Sequence, residues 1–131
     1  METKDLKQVI EFKASPHEVY EALMDSKKHS EFSKSKVVIS RKVNGKFSAY
    51  DGWIAGKNLE LVQDKKIVQE WAGVDKAWPK NHISKVTFIF SKTKNGTKLT
   101  FTHEGIPEDW FEDISKGWYD QYWEKMKEFF K

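Results

Sequence analysis

The chain has 131 residues, enough for one domain with one core, carries a net charge of +3, and contains no cysteine. That composition excludes disulfides, thiolate nucleophiles and cysteine-ligated metal centres, and no apolar run approaches the ~20 residues that a membrane span needs. Arg41 is the one arginine among 23 basic residues, and so mild a charge carried by lysine argues against nucleic acid, whose bases and phosphates are read mainly by guanidinium groups.

The start, Met1-Glu2-Thr3-Lys4-Asp5, lacks the apolar stretch of a signal peptide, so a cytoplasmic protein is expected. Leu6, Gln8, Ile10 and Phe12 then alternate with Lys7, Val9, Glu11 and Lys13, the period of a half-buried strand. Ser15-Pro16-His17-Glu18 combines an N-cap serine, a proline at the first helical position and a glutamate three residues after the cap. This predicts a helix to about Met24, and a shorter one is expected around Ser26 to Glu31. Asn44-Gly45 and Asn95-Gly96 suit two-residue hairpin turns. Between them lie candidate strands at 45–50, 52–62 and 66–72, followed by a loop at 74–82. Val86, Phe88 and Phe90 line one face of the next strand, and Leu99, Phe101 and His103 one face of its hairpin partner. Gly105-Ile106-Pro107 is expected to end the sheet.

A helix begins within 108–113. At about 100° per residue, Ile114, Trp118, Tyr122, Met126, Phe129, Tyr119 and Trp123 fall on one half of it, and Lys116, Asp120, Glu124 and Lys127 on the other. An amphipathic helix that follows a one-faced antiparallel sheet packs on the sheet's concave face. The fold expected is α+β: a curved antiparallel sheet of six to seven strands around a long terminal helix, with two short helices after the first strand, residues 1–131 forming a single domain.

At the level of segments the chain resembles the domain family named for the activator of heat-shock-protein-90 ATPase, within the START-like (SRPBCC), birch-pollen-allergen-like superfamily. The resemblance rests on order and spacing over nearly the whole chain. It runs through Ala14-Ser15-Pro16-His17-Glu18-Val19-Tyr20, Gly45-Lys46-Phe47 to Asp51-Gly52, Gly56-Lys57-Asn58, Ile67-Val68-Gln69-Glu70-Trp71, Trp78-Pro79, Thr102-His103-Glu104-Gly105-Ile106-Pro107, and Gly117-Trp118 with Tyr122-Trp123. It implies the helix-grip fold. Trp78-Pro79 and the Gly117–Trp123 pattern look closest to the co-chaperone branch, which implies stress-response partnership with a heat-shock-protein-90-type chaperone. The eukaryotic co-chaperone of that branch also carries a separate N-terminal domain, for which 131 residues leave no room.

Chemistry-bearing residues are sparse. His17 and His29 read as surface residues, His82 belongs to the Trp78–His82 loop, and only His103 takes an inward strand position. His103 is either a hydrogen-bonded core histidine or a polar anchor in a ligand pocket. Gln69, inward between Ile67 and Trp71, is open to the same two readings, because an unpaired buried amide costs about 1–3 kcal/mol. Asp51 and Glu104 read as turn and surface carboxylates. No histidine pair has metal-ligand spacing, and no serine or glycine pattern marks a nucleophile elbow or a phosphate loop, so no metal, cofactor or enzymatic activity is expected.

Two roles are therefore expected in different classes. The first is a cavity between sheet and helix for a small hydrophobic ligand, lined by Trp53, Gln69, Trp71, Phe88, Phe90, Phe101, His103, Trp118 and Tyr122. The alternative is a chaperone-binding surface at Trp78, Trp110 and Phe111. A cyclase- or hydrolase-like enzyme using the same pocket, as in related START-like branches, is the weaker third.

Overall fold

Two short helices interrupt the chain after its first strand, and each starts where a side chain can cap it. The structure is a computed structural model that describes all of Met1–Lys131. Strand β1 spans Thr3–Phe12 and helix α1 Pro16–Met24. Ser15 Oγ accepts the Glu18 amide while the Glu18 carboxylate accepts the Ser15 amide, which closes the capping box. Glu18 is held below its usual carboxylate range, chiefly by this hydrogen bonding to Ser15. Helix α2, Ser26–Ser33, is capped by Asp25, whose carboxylate accepts the Lys28 amide at 2.9 Å.

Six further strands follow: β2 Val38–Ile39, β3 Lys46–Ala49, β4 Ile54–Val62, β5 Lys66–Gly73, β6 Ser84–Thr93 and β7 Gly96–Pro107. All pair antiparallel in the order β1-β7-β6-β5-β4-β3-β2. The short β2 adds a strand the sequence pattern does not reveal. It joins β3 through residues 40–45 rather than a two-residue turn, and within that connection Asn44 alone takes a left-handed backbone. The second hairpin pairs Thr93 with Gly96, which puts Lys94 and Asn95 at the centre of the turn. A Cβ at Gly96 would lie 2.0 Å from the Phe12 carbonyl oxygen, so the β1–β7 approach there admits only glycine.

Strand β7 does not stop at Gly105. The pairing passes from Leu6–His103 to Lys4–Ile106, so one extra residue bulges out, with Gly105 left-handed and its amide donated to Asp5. The sheet thereby continues to Pro107.

The terminal helix is irregular in a way that hydrophobic periodicity alone does not show. A 3₁₀ turn at Glu108–Trp110 leads into α3, Phe111–Trp118; a π turn occupies Tyr119–Trp123; and α4 runs Glu124–Phe129. The π turn absorbs about one extra residue and rotates everything after it by about 100°. Trp123, expected at the edge of the apolar half, is fully buried, whereas Tyr119 and Phe129 are exposed. With that rotation Ile114, Trp118, Trp123, Met126 and Phe130 form one stripe against the sheet. Side chains from elsewhere satisfy two carbonyls of the helix near the turn: Gln8 Nε2 donates to Ser115 O, and the Tyr50 hydroxyl donates to Gln121 O. No helix is long and apolar enough to cross a membrane.

Candidate functional site

The interior between sheet and helix is packed, and the open space lies at its edge. Phe88, Phe101, Trp118 and Trp123 form one aromatic cluster, Trp118 and Trp123 stacked and the other pairs tilted or edge-on, with Phe101 and Trp118 centroids 4.4 Å apart. A void bordered by His29, Gln69 and Phe88 measures about 20 Å³, room for one water at most. Beside it lies a hollow of about 320 Å³, at the lower end of the roughly 300–1,000 Å³ typical of small-molecule sites. It opens to solvent between the β3–β4 turn and α3.

Tyr50 and Trp53 come from that turn, and Ile54 and Trp71 from β4 and β5. The helical segment supplies Trp110, Asp113, Ile114, Gly117, Trp118, Gln121 and Tyr122. The turn is unusual: Tyr50, Asp51 and Gly52 all have positive φ, at 50°, 58° and 91°. Non-glycine residues adopt this region at a cost. The Asp51 carboxylate accepting the Lys36 amide, and the Tyr50 hydroxyl bound to Gln121 O, hold the turn in place. Gly117 forms part of the wall, and a Cβ built there meets nothing within 4 Å.

Of the residues expected to line a ligand cavity, the structure brings Trp53, Trp71, Trp118 and Tyr122 to the hollow. Gln69 and Phe88 border only the small void, and Phe90, Phe101 and His103 lie in the packed core, away from the hollow. The two inward polar groups do not reach the hollow because each is engaged within the protein. Gln69 Nε2 donates to Asn58 Oδ1 at 3.0 Å, and Asn58 Nδ2 donates to the carbonyls of Ser40 and Lys42.

His103 is fully buried. Trp118 Nε1 donates to its Nδ1 at 3.1 Å, and its Nε2 meets Ser84 Oγ, which itself donates to the Trp71 carbonyl. These partners require the neutral Nε2–H tautomer, and burial lowers its pKa to about 3. His29, expected at the surface, is also buried. Its Nδ1 donates to the Leu23 carbonyl and its Nε2 accepts from the Tyr122 hydroxyl, and burial lowers its pKa to about 4 against the opposing pull of the Leu23 carbonyl. Burial raises the pKa of both Tyr50 and Tyr122 well above the usual tyrosine value.

Trp78 is not a surface residue either. It is 6% exposed, covers Gly73, packs edge-on against Trp71 and donates to the His82 carbonyl. Trp110 is half-buried at the mouth of the hollow, beside Trp53 and Trp78, with its N–H donated to the Ala77 carbonyl. Phe111 is half-buried beneath the Lys4 ammonium. Glu104 is exposed and pairs with Lys85 at 3.2 Å.

Sequence reasoning missed Tyr50, Ile54, Asp113, Ile114, Gly117 and Gln121 as lining residues, and gave Trp110 to a partner surface instead. The one available signal was Gly117, because glycine inside an amphipathic helix costs about 1 kcal/mol relative to alanine and calls for a reason.

The Activator of Hsp90 ATPase homolog 1-like protein family model matches residues 13–131. An Activator of 90 kDa heat shock protein ATPase homolog from Dictyostelium discoideum is 36% identical over 98% of this chain and 33% of its own length. A human relative, Activator of 90 kDa heat shock protein ATPase homolog 1, is 30% identical over 91% of this chain and 35% of its own length. The chain thus spans about a third of the length of these curated relatives. Among solved structures, an HSP90 activator from Plasmodium falciparum superposes with a TM-score of 0.86 at 29% identity, over 94% of this chain and 93% of that one. The solution structure of the Aha1 dimer from Colwellia psychrerythraea shares the fold, with a TM-score of 0.74 at 21% identity over 88% of each chain.

Proposed function

The chain belongs to the Activator of Hsp90 ATPase homolog 1-like family, and from that membership we propose that it binds a heat-shock-protein-90-type chaperone through this domain. The observation that carries the reading is the likeness to the Plasmodium HSP90 activator, since each chain covers more than nine tenths of the other. The partner surface of this reading takes Trp110 and Trp53 from the rim of the hollow together with Phe111, the neighbour of Trp110 in the chain. These are aromatic side chains left partly open on an otherwise lysine-coated molecule, and tryptophan is enriched among residues that dominate interface energetics. A cytoplasmic location is consistent with such a partner. Binding is measured with the chaperone from the same organism, by calorimetry and by chaperone ATPase rate. Trp110→Ala is expected to weaken association about tenfold with the fold intact. Absence of any association by the unaltered protein ends the reading.

A second reading concerns the hollow itself. Its volume, its mostly apolar lining and the unobstructed space at Gly117 support a site for a small hydrophobic molecule. Apolar probes are expected to shift tryptophan emission in the unaltered protein but not in Gly117→Leu, whose side chain occupies the space.

A further inference from the structure

We propose that the hollow selects an amphipathic organic cation, an amine on an apolar body, over neutral or anionic molecules of the same shape; this rests on the reading of the hollow as a small-molecule site. In a chain with 22 lysines and one arginine, the lining contains no lysine, arginine or histidine. Its one charged side chain is Asp113, an exposed carboxylate that forms no ion pair.

The remaining wall is mainly aromatic, and most of its polar handles are already committed. The Tyr50 hydroxyl goes to Gln121 O and that of Tyr122 to His29, while the indole N–H of Trp110 goes to Ala77 O and that of Trp118 to His103. What Trp110, Trp118 and Tyr122 offer a ligand is therefore their carbon faces and edges, while the Tyr50 ring already has the Lys125 ammonium over it. Ring faces carry negative quadrupole potential, which attracts a cation positioned over them.

The outer side of the mouth reinforces the sign. A second, more polar hollow shares Trp110 and Asp113 with the first and adds Glu2, Glu108 and Asp109. The one cation in its lining is the α-amino group of Met1, against four carboxylates when Asp113 is counted. Lys4 stands over Phe111 and 3.8 Å from Glu108, and Lys125, over the Tyr50 ring, donates to the Ser33 carbonyl. An amine entering the hollow meets Asp113 and π faces, whereas a carboxylate meets Asp113 as a like charge.

Asp113 also lies in the first turn of α3, where a carboxylate is favourable for the helix itself. Selectivity, not stability, is therefore the readout. Phenylbutylamine, phenylbutanol and phenylbutyrate share one body and differ in charge, and each is titrated against the unaltered protein by tryptophan emission and indole NMR shifts. The amine is expected to bind about tenfold tighter than the alcohol at low salt, with a margin that shrinks as salt rises. The acid is expected to bind more weakly than either. Asp113→Asn is expected to cut amine affinity about threefold and leave the alcohol unchanged, and Gly117→Leu to block both. Equal binding of amine and alcohol, or an Asp113→Asn effect shared by both, overturns the cation preference and leaves the apolar site standing. No binding by any of the three overturns both.

Discussion

Gly117 sits inside a helix with ordinary right-handed geometry, so nothing in its backbone requires glycine. Replacing it with alanine removes the excess conformational freedom of glycine in the unfolded chain, which is worth about 0.8–1.0 kcal/mol in a helix interior. The added methyl meets no atom within 4 Å, so it contributes little packing and no clash. The net expectation is a gain of about 1 kcal/mol. For a chain of this length, unfolding entropy near 2.1 cal/mol/K per residue converts that into a rise in Tm of about 3–4 °C. Urea unfolding followed by tryptophan emission tests it, with an unchanged slope and a higher midpoint expected. Gly56→Ala is the paired control, because a Cβ there would lie 1.8 Å from the Glu70 carbonyl oxygen, a backbone atom that cannot swing aside. That variant is expected to lose at least about 1–3 kcal/mol. Loss of stability in Gly117→Ala would refute the reasoning and show that the helix needs glycine for a reason other than the open wall.

Trp78→Ala should cost about 3–5 kcal/mol in the same urea assay, because it empties a buried site against Gly73 and Trp71, whereas Trp110→Ala, at a half-buried site, should cost less than half as much. Acid sensitivity follows from the two buried histidines, whose folded pKa values of about 4 and about 3 lie below the usual histidine value of 6.5. Between those values and 6.5 the unfolded chain holds more protons, so their stabilisation is complete above pH 6.5 and is lost as pH falls toward 4 and then 3. Together they are expected to give a slope approaching about 2.7 kcal/mol per pH unit near pH 5. His29→Gln, which can still donate to Leu23 O and accept from Tyr122, should roughly halve that slope in unfolding curves taken from pH 4.5 to 7. An unchanged slope would mean that His29 is protonated within the fold.

The parts of the fold legible in sequence are those where one local rule dominates. Ser15-Pro16-His17-Glu18 gave α1 because a capping box is a purely local device, and the alternation in β1, β6 and β7 is legible because each strand buries one face. The rest depends on partners distant in the chain. Two residues of β2 carry no usable period. His29 sits among charged neighbours yet is buried, because Tyr122, 93 positions later, reaches its Nε2. The π turn defeats a fixed 100° projection: Trp123, projected to the edge of the apolar half, is fully buried, while Tyr119 and Phe129, projected within it, are exposed. At the site, four aromatic lining residues were legible from inward periodicity and aromatic character. His103 and Gln69 were recognisable as inward polar groups, but which way each was satisfied depended on Trp118, Ser84 and Asn58. Asp113 and Gln121 line the hollow from the polar side of the helix, where composition alone signals only solvent.

The wide turn at Tyr119–Trp123 also divides the terminal helix in two. It leaves α3 and α4 with separate seats: α3 borders the hollow, while α4 is anchored by fully buried Met126. A helix bends most cheaply where its regular i to i−4 ladder is already interrupted. Buried Ile114 and Trp118 seat α3 on the sheet as Met126 seats α4. The Tyr50 hydroxyl ties the joint between them, at Gln121 O, to the β3–β4 turn. One hydrogen bond between a left-handed turn and a π turn thereby frames the mouth of the hollow.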